Sequence, residues 1–177
     1  MKIFIKHTYL QKLSISIILC LLLCSCTASH GTDAPGFCER LNKTLDNELL
    51  NADGFLVNGK CFDYYFSYFG RAVLLELEED EPGRVKSACL TLAKDNKDLS
   101  QSEKEELLML ITGICAVLTD SNFNAQSALL ADKGVTANIL DFSEKSVSLQ
   151  SDKYDYFLFC NSEIVFFDVS RGQPQSS

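Results

Sequence analysis

Hydrophobic and polar positions change their spacing twice along the 177-residue chain. The first stretch, Leu13 to Cys24 (LSISIILCLLLC), is almost wholly apolar and follows Lys2, Lys6 and Lys12. From Asp33 onward apolar residues recur every three or four positions, the spacing of one helical face. Asp33-Ala34-Pro35 supplies an acidic cap and a proline in the first turn. Cys38, Leu41, Leu45 and Leu49 continue as one stripe, so a helix is expected to end before Gly54. Asn58-Gly59, between the short apolar runs of FLVNGKCF, predicts a hairpin over 55–62. Tyr65, Phe69, Val73 and Leu77, widened by Phe62, Phe66 and Leu74, predict a second helix over 63–80. Pro82 is expected to open a short third helix with Val85, Ala88, Cys89 and Leu92 facing inward.

Ser100 followed by Glu103 forms a capping box. It introduces the most regular helical pattern in the chain, carried by Leu107, Leu110, Ile111, Ile114, Cys115 and Leu118. A weaker helix through Ala125 to Asp132 stops at Gly134. The period then falls to two. Ser146 to Gln150 alternates strictly, and Tyr154–Cys160 and Glu163–Val169 flank Asn161-Ser162 as a hairpin. Val135 to Phe142 is a further strand candidate. The expected fold class is therefore α+β, with N-terminal helices packed on a C-terminal antiparallel β-meander. The last hairpin is apolar on both sides: Tyr156 and Leu158 alternate with Phe157 and Phe159, as Ile164 and Phe166 do with Val165 and Phe167. Such a hairpin is either central with both faces covered, or it leaves one face open for a partner or apolar ligand.

The apolar run at 13–24 is too short to span a bilayer, which takes about 20 residues, but it suits a secretory signal behind a basic start. Its end, Leu23-Cys24-Ser25-Cys26, resembles the lipobox of bacterial lipoproteins: a branched apolar residue at −3, a small residue at −1, then cysteine. Cys24 stands at −2, where that class usually has a small or aliphatic residue. The resemblance implies cleavage before Cys26, acylation of that cysteine, and a palmitate-type lipid anchor. Thr27 follows it, which within this class implies sorting to the outer membrane, facing the periplasm. Ordinary secretion with cleavage after Ala28 or Ser29 is the alternative. The expected organisation is a signal peptide over 1–25 and a lipidated cysteine with a polar tether over 26–34. A single globular domain over 35–171 and a frayed tail over 172–177 follow.

Composition sharpens this picture once the segments are separated. The whole chain carries a net charge of −8, but a chain starting at Cys26 has lost three lysines and no acid, leaving 13 basic against 24 acidic residues, a net −11. That charge opposes nucleic acid, whose affinity comes from neutralising phosphates, and anionic lipid surfaces. It favours a neutral or basic protein partner in the envelope. Five cysteines remain past the lipid site, Cys38, Cys61, Cys89, Cys115 and Cys160, with no Cys-x-x-Cys among them. In an oxidising compartment disulfides are expected, with Cys38–Cys61 and Cys89–Cys115 the preferred staples of consecutive elements.

Both histidines, His7 and His30, precede the folded region. Serine–histidine and cysteine–histidine catalysis therefore lacks its base, and histidine-ligated metal sites lack their ligand. Only a carboxylate-dependent hydrolase survives among familiar mechanisms. Glu76, Glu78, Glu79, Asp80 and Glu81 form the evident acidic cluster, a candidate surface for a basic partner. Two calcium-loop resemblances fail on their ligands. Around Asn51 to Leu56 the register puts Leu49 and Lys60 at ligand positions, and 95–106 puts Lys97 and Leu99 there. No cofactor, metal or small-molecule substrate is expected. The function expected is that of a lipid-anchored, non-catalytic protein-binding or assembly factor. A periplasmic immunity or inhibitor protein acting through the acidic segment is the alternative.

Overall fold

The computed structural model describes residues 31–172, apart from 81, 82, 96, 142, 143 and 152. The chain divides into units Met1–His30 and Gly31–Ser177, and the description below concerns the second. Helix α1 spans Ala34–Leu45, its N-terminus capped by the Asp33 carboxylate, which accepts from the Gly36 N–H at 3.0 Å. Four strands follow as a meander: β1 Leu56–Asn58, β2 Cys61–Tyr68, β3 Arg71–Glu79 and β4 Val85–Ala93. Helices α2, Gln101–Thr119, and α3, Phe123–Asp132, come next. After a 3₁₀ turn at Ala137–Leu140, three strands close the fold: β5 Lys145–Gln150, β6 Tyr154–Cys160 and β7 Ile164–Arg171. The sheet order is β1-β2-β3-β4-β7-β6-β5, antiparallel throughout. Two locally formed meanders thus meet where β7 lies beside β4.

The α+β class holds, but the order of elements is different from the one the spacing predicts. One helix precedes the first meander, and the other two stand between the meanders. The segment 63–80 is a hairpin, β2 with β3, and the segment after Pro82 is strand β4. Positions 65, 69, 73 and 77 are four apart, which satisfies a helical face and also a period of two. The turn between these strands hides its signature. Phe69 and Gly70 both take positive φ, 55° and 71°, as a primed hairpin turn requires, yet phenylalanine seldom fills that position. Its ring lies against Tyr68 at 3.9 Å between centroids. Within the strand candidate Val135 to Phe142, Ala137–Leu140 forms a 3₁₀ turn instead, and Phe142 lies outside the described residues. Helix α1 ends at Leu45, with Asp46 left-handed at φ 50°, well before Gly54.

The remaining elements fall where expected. The Ser100–Glu103 capping box is present in both directions, Gly134 ends the α3 region at φ 82°, and Gly59 turns the first hairpin at φ 63°.

One face of the sheet carries the core. Strand residues Val73, Leu75, Leu77, Ala88, Leu90, Leu92, Leu158, Val165, Phe167 and Val169 are buried beneath Phe37, Leu41, Leu107, Leu110, Ile111 and Ile114 of the helices. Helix α2 is buried at every position from Leu110 to Leu118. It approaches α1 closely because Gly113 has no side chain: a Cβ there would lie 2.9 Å from Leu45 Cδ2 and 3.0 Å from Leu41 Cδ1. Two buried cations fasten the crossover from β4 to this layer. Arg71, 8% exposed, donates to the carbonyl oxygens of Lys94, Lys97 and Asp98 and reaches Glu103 of the capping box at 3.5 Å. Lys94, fully buried, donates to the carbonyl oxygens of Leu140 at 3.3 Å and Asn161 at 2.9 Å, and meets Cys160 Sγ at 3.4 Å.

Disulfide stapling is not part of this fold. Cys38, Cys61, Cys89, Cys115 and Cys160 are all free thiols. Strand parity explains why the preferred pairs do not form. Cys38 and Cys115 are buried in the helical layer, whereas Cys61 and Cys89 alternate with Phe62 and Ala88 and so point away from it. Each expected bridge would have to pass through the sheet. Burial pushes the Cys38 thiol up to about 12.

Two measurements check this architecture. Alkylation in denaturant without reductant is expected to label all five of these cysteines, while brief labelling of the native protein reaches Cys61 first; an unlabelled pair would restore a bridge. Arg71→Leu leaves several carbonyl oxygens near the crossover without their donor, and a loss of about 3 kcal/mol in urea unfolding is expected.

Candidate functional site

The second face of the sheet is built by the same alternation that makes the core. Register places four rows across it. Ser67, Ala72, Ala93 and Ile164 stand towards one end. Tyr65, Leu74, Thr91, Phe166, Phe159 and Ser146 form the next row. Then come Asp63, Glu76, Cys89, Asp168, Phe157 and Ser148, and last Cys61, Glu78, Ser87, Ser170, Asp155 and Gln150. None of the apolar residues on this side belongs to the core cluster or packs against it. Tyr65 is 63% exposed and Phe157 38%. Among the described residues, then, the second face of the C-terminal hairpin has no helix over it.

The face has two chemically different bands. Tyr65, Leu74, Phe166, Phe159 and Ile164 make one side apolar, with Phe157 joining them through an edge contact to Phe166 at 6.1 Å between centroids. Beside it lie the carboxylates Asp63, Glu76, Glu78, Asp155 and Asp168, contributed by four strands. Burial first, and then the charge of Asp155, hold the Asp168 carboxyl above the usual carboxylate range, with a Ser170 hydrogen bond working the other way. Cys89 sits between Glu76 and Asp168 in its row. Burial, reinforced by those two charges, pushes its thiol up to about 12. A thiol in that range is protonated at neutral pH and is a poor nucleophile.

The acidic run found in the sequence does not act as one surface. Glu76 and Glu78 point to the open side, where Glu78 holds Lys86 at 2.7 Å. Glu79 is used inside the fold: its carboxylate accepts from the Ala34 N–H at 2.8 Å and completes the start of α1. Asp80 is shared between Arg84 at 3.0 Å and Arg171 at 3.5 Å. Partial burial works to raise its pKa, but the Arg84 hydrogen bonds and the two guanidinium charges outweigh it and hold the carboxyl low. Glu81 lies outside the described residues, as do Cys26 and the rest of the signal and lipobox. The sequence pattern did not reveal Asp63, Asp155 and Asp168, because only pairing brings them beside Glu76. Their apolar neighbours had a signal in the two-sided final hairpin.

A shallow depression lies between α3 and the β5–β6 hairpin, lined by Leu129, Leu130, Lys133, Leu149, Gln150 and Tyr156. No group of three or more histidine, cysteine or acidic side chains that could hold a metal ion occurs among the described residues. No single helix among them is long and apolar enough to cross a membrane. Asn42 of α1 spends its side-chain amide on Leu50, donating to its carbonyl at 2.6 Å and accepting from its N–H at 2.9 Å. Comparison with protein-family models, with curated proteins and with solved structures finds no match to this chain. The site itself must carry the functional reading.

Asp168 gives a test of the face's electrostatics. A carboxyl whose folded pKa is raised binds its proton more tightly in the folded state, so it favours the fold at low pH and loses that advantage as pH rises through its folded pKa. Asp168→Asn removes the ionisation. The variant is therefore expected to gain stability over the parent as pH rises from about 4 towards neutrality. Thermal unfolding across pH measures this, and a constant difference would refute it.

Proposed function

We propose that the protein is a non-catalytic binding protein of a bacterial envelope, anchored in the outer membrane through an acylated Cys26 and turned towards the periplasm. Its partner is another envelope protein, neutral or basic. One observation carries the binding reading: a seven-stranded sheet packed by helices on one face leaves the opposite face apolar in one band and acidic in the next. Covering such a face with a helix is the ordinary solution when nothing else has to bind there, and contiguous exposed apolar surface marks interaction sites. The lipobox resemblance at residues 13–26 supports the anchor, and two or three acyl chains suffice for stable attachment.

Absence of histidine after His30 leaves acyl transfer and histidine-ligated metal chemistry without their usual side chains. The carboxylates of the open face are spread over four strands of one sheet surface, an arrangement that favours a contact surface as the reading. A periplasmic immunity or inhibitor protein that blocks a toxin or hydrolase through residues 76–81 is the second reading. The internal use of Glu79 and Asp80 removes part of the surface it needs.

The anchor is tested by Cys26→Ala in cells fed a labelled fatty acid. The parent is expected to carry the label and to fractionate with membranes, and the variant to lose the label and become soluble. Continued incorporation of lipid in the variant would overturn the reading.

A further inference from the structure

From the two bands of the open face we infer that its occupant is a polypeptide segment of the partner with an apolar ridge bordered on one side by lysine or arginine. The inference rests on the protein-binding reading above and adds the face and the chemistry of the partner. Six neighbouring strands spaced about 4.8 Å apart, and about seven residues long, make a surface of roughly 24 by 24 Å. That is of the same order as the ~800 Å² each partner gives to a stable interface. The apolar band offers Tyr65, Phe157, Phe159 and Phe166, and aromatic anchors dominate binding energy when a partner buries them.

Charge selects among the possible occupants. Lys86 of β4 is the one cation among the strand positions on this side. Lys86, at the irregularity near Glu78, is already engaged by that residue. A second copy meeting this face with its own would set carboxylates against carboxylates, and an anionic lipid surface or nucleic acid would do the same. A basic segment instead neutralises Asp63, Glu76 and Asp168 while its apolar ridge covers the ring band. Cations beside partly desolvated carboxylates also set register, because a one-row displacement would put them over the rings.

Photocrosslinking in the cells that make the protein tests this with the full, anchored chain. A photoreactive phenylalanine analogue is placed at Phe157 or Tyr65 on the open face, and at Met109, which is 49% exposed on helix α2. Adducts are expected at Phe157 and Tyr65, joined to a partner peptide that mass spectrometry shows to be net basic. Glu76→Lys combined with Asp63→Lys should lower adduct yield about tenfold, as removal of interfacial charges does. Circular dichroism and thermal unfolding verify that the variant is folded. Should it unfold, Tyr65→Ser read out at Phe157 takes its place, with the same loss expected. Adducts confined to Met109 would overturn the inference and leave a protein-binding function standing. An open-face adduct to a second copy, or to an acidic peptide, would also overturn it. No adduct at any of the three positions would overturn the protein-binding reading itself.

Discussion

The ladder between β4 and β7 is the constraint on which the rest of the structure depends. Every other strand pairing is a hairpin between neighbours in sequence, whereas Ser87–Ala93 meets Ile164–Ser170 across some seventy intervening residues. The register of this ladder decides which side of each meander faces the helices. Ala88 opposes Val169, Leu90 opposes Phe167 and Leu92 opposes Val165, so all six reach the core together. The same pairing sends Cys89 with Asp168, and Thr91 with Phe166, to the open side. A slip of one residue would exchange the two faces of an entire meander, turning Asp168 towards the core. Core and open face are therefore fixed by a single registration.

The crossover between the meanders is held to that registration by cations that the sequence pattern does not single out. Arg71 stands at the start of β3, and its guanidinium gathers the carbonyl oxygens of the loop leaving β4 and reaches the capping-box Glu103. Lys94 directly follows β4 and ties the 3₁₀ turn before β5 to the loop after β6. Buried cations are tolerated only when fully hydrogen-bonded, and both satisfy themselves largely on backbone carbonyls. The two meanders are thus joined by the central ladder and, above it, by polar clasps at the end of β4. Such clasps are sensitive to the loss of one partner, since each leaves several oxygens desolvated.

How much of this was legible in the sequence depended on whether local signals agreed with the long-range pairing. The α2 helix was legible because its capping box and its apolar stripe point the same way. The β6–β7 hairpin was legible because alternation meets a turn at Asn161. The β2–β3 hairpin was not, since a spacing of four fits both periods and the Phe69–Gly70 turn lacks the asparagine or aspartate that announces one. Strand β4 was obscured by apolar residues on both faces, Cys89 and Ala93 beside Ala88 and Leu90. The disulfide expectation failed for a related reason. Spacing along the chain carries no information on strand parity, and parity puts the sheet between the partners. Of the open face, the apolar half was foreshadowed by the two-sided final hairpin. The acidic half was not, because Asp63, Asp155 and Asp168 are far apart in sequence and become neighbours only through pairing.

Under the proposed anchoring at Cys26, the tether and the open face would act as parts of one device. Six residues separate it from the Asp33 cap, and the seven Cα-to-Cα steps, even fully extended, reach only about 25 Å. A domain of this size is itself roughly 35–40 Å across, so an anchored domain stays within about its own diameter of the bilayer. Its net negative charge is repelled by anionic headgroups, which leaves the sheet face free for protein instead of lipid. Confinement to that thin layer raises the effective concentration of any partner held in the same membrane. Binding then does not require exceptional affinity from the face alone. Under that anchoring, a modest apolar band with a few oriented carboxylates would be sufficient where both proteins share one surface.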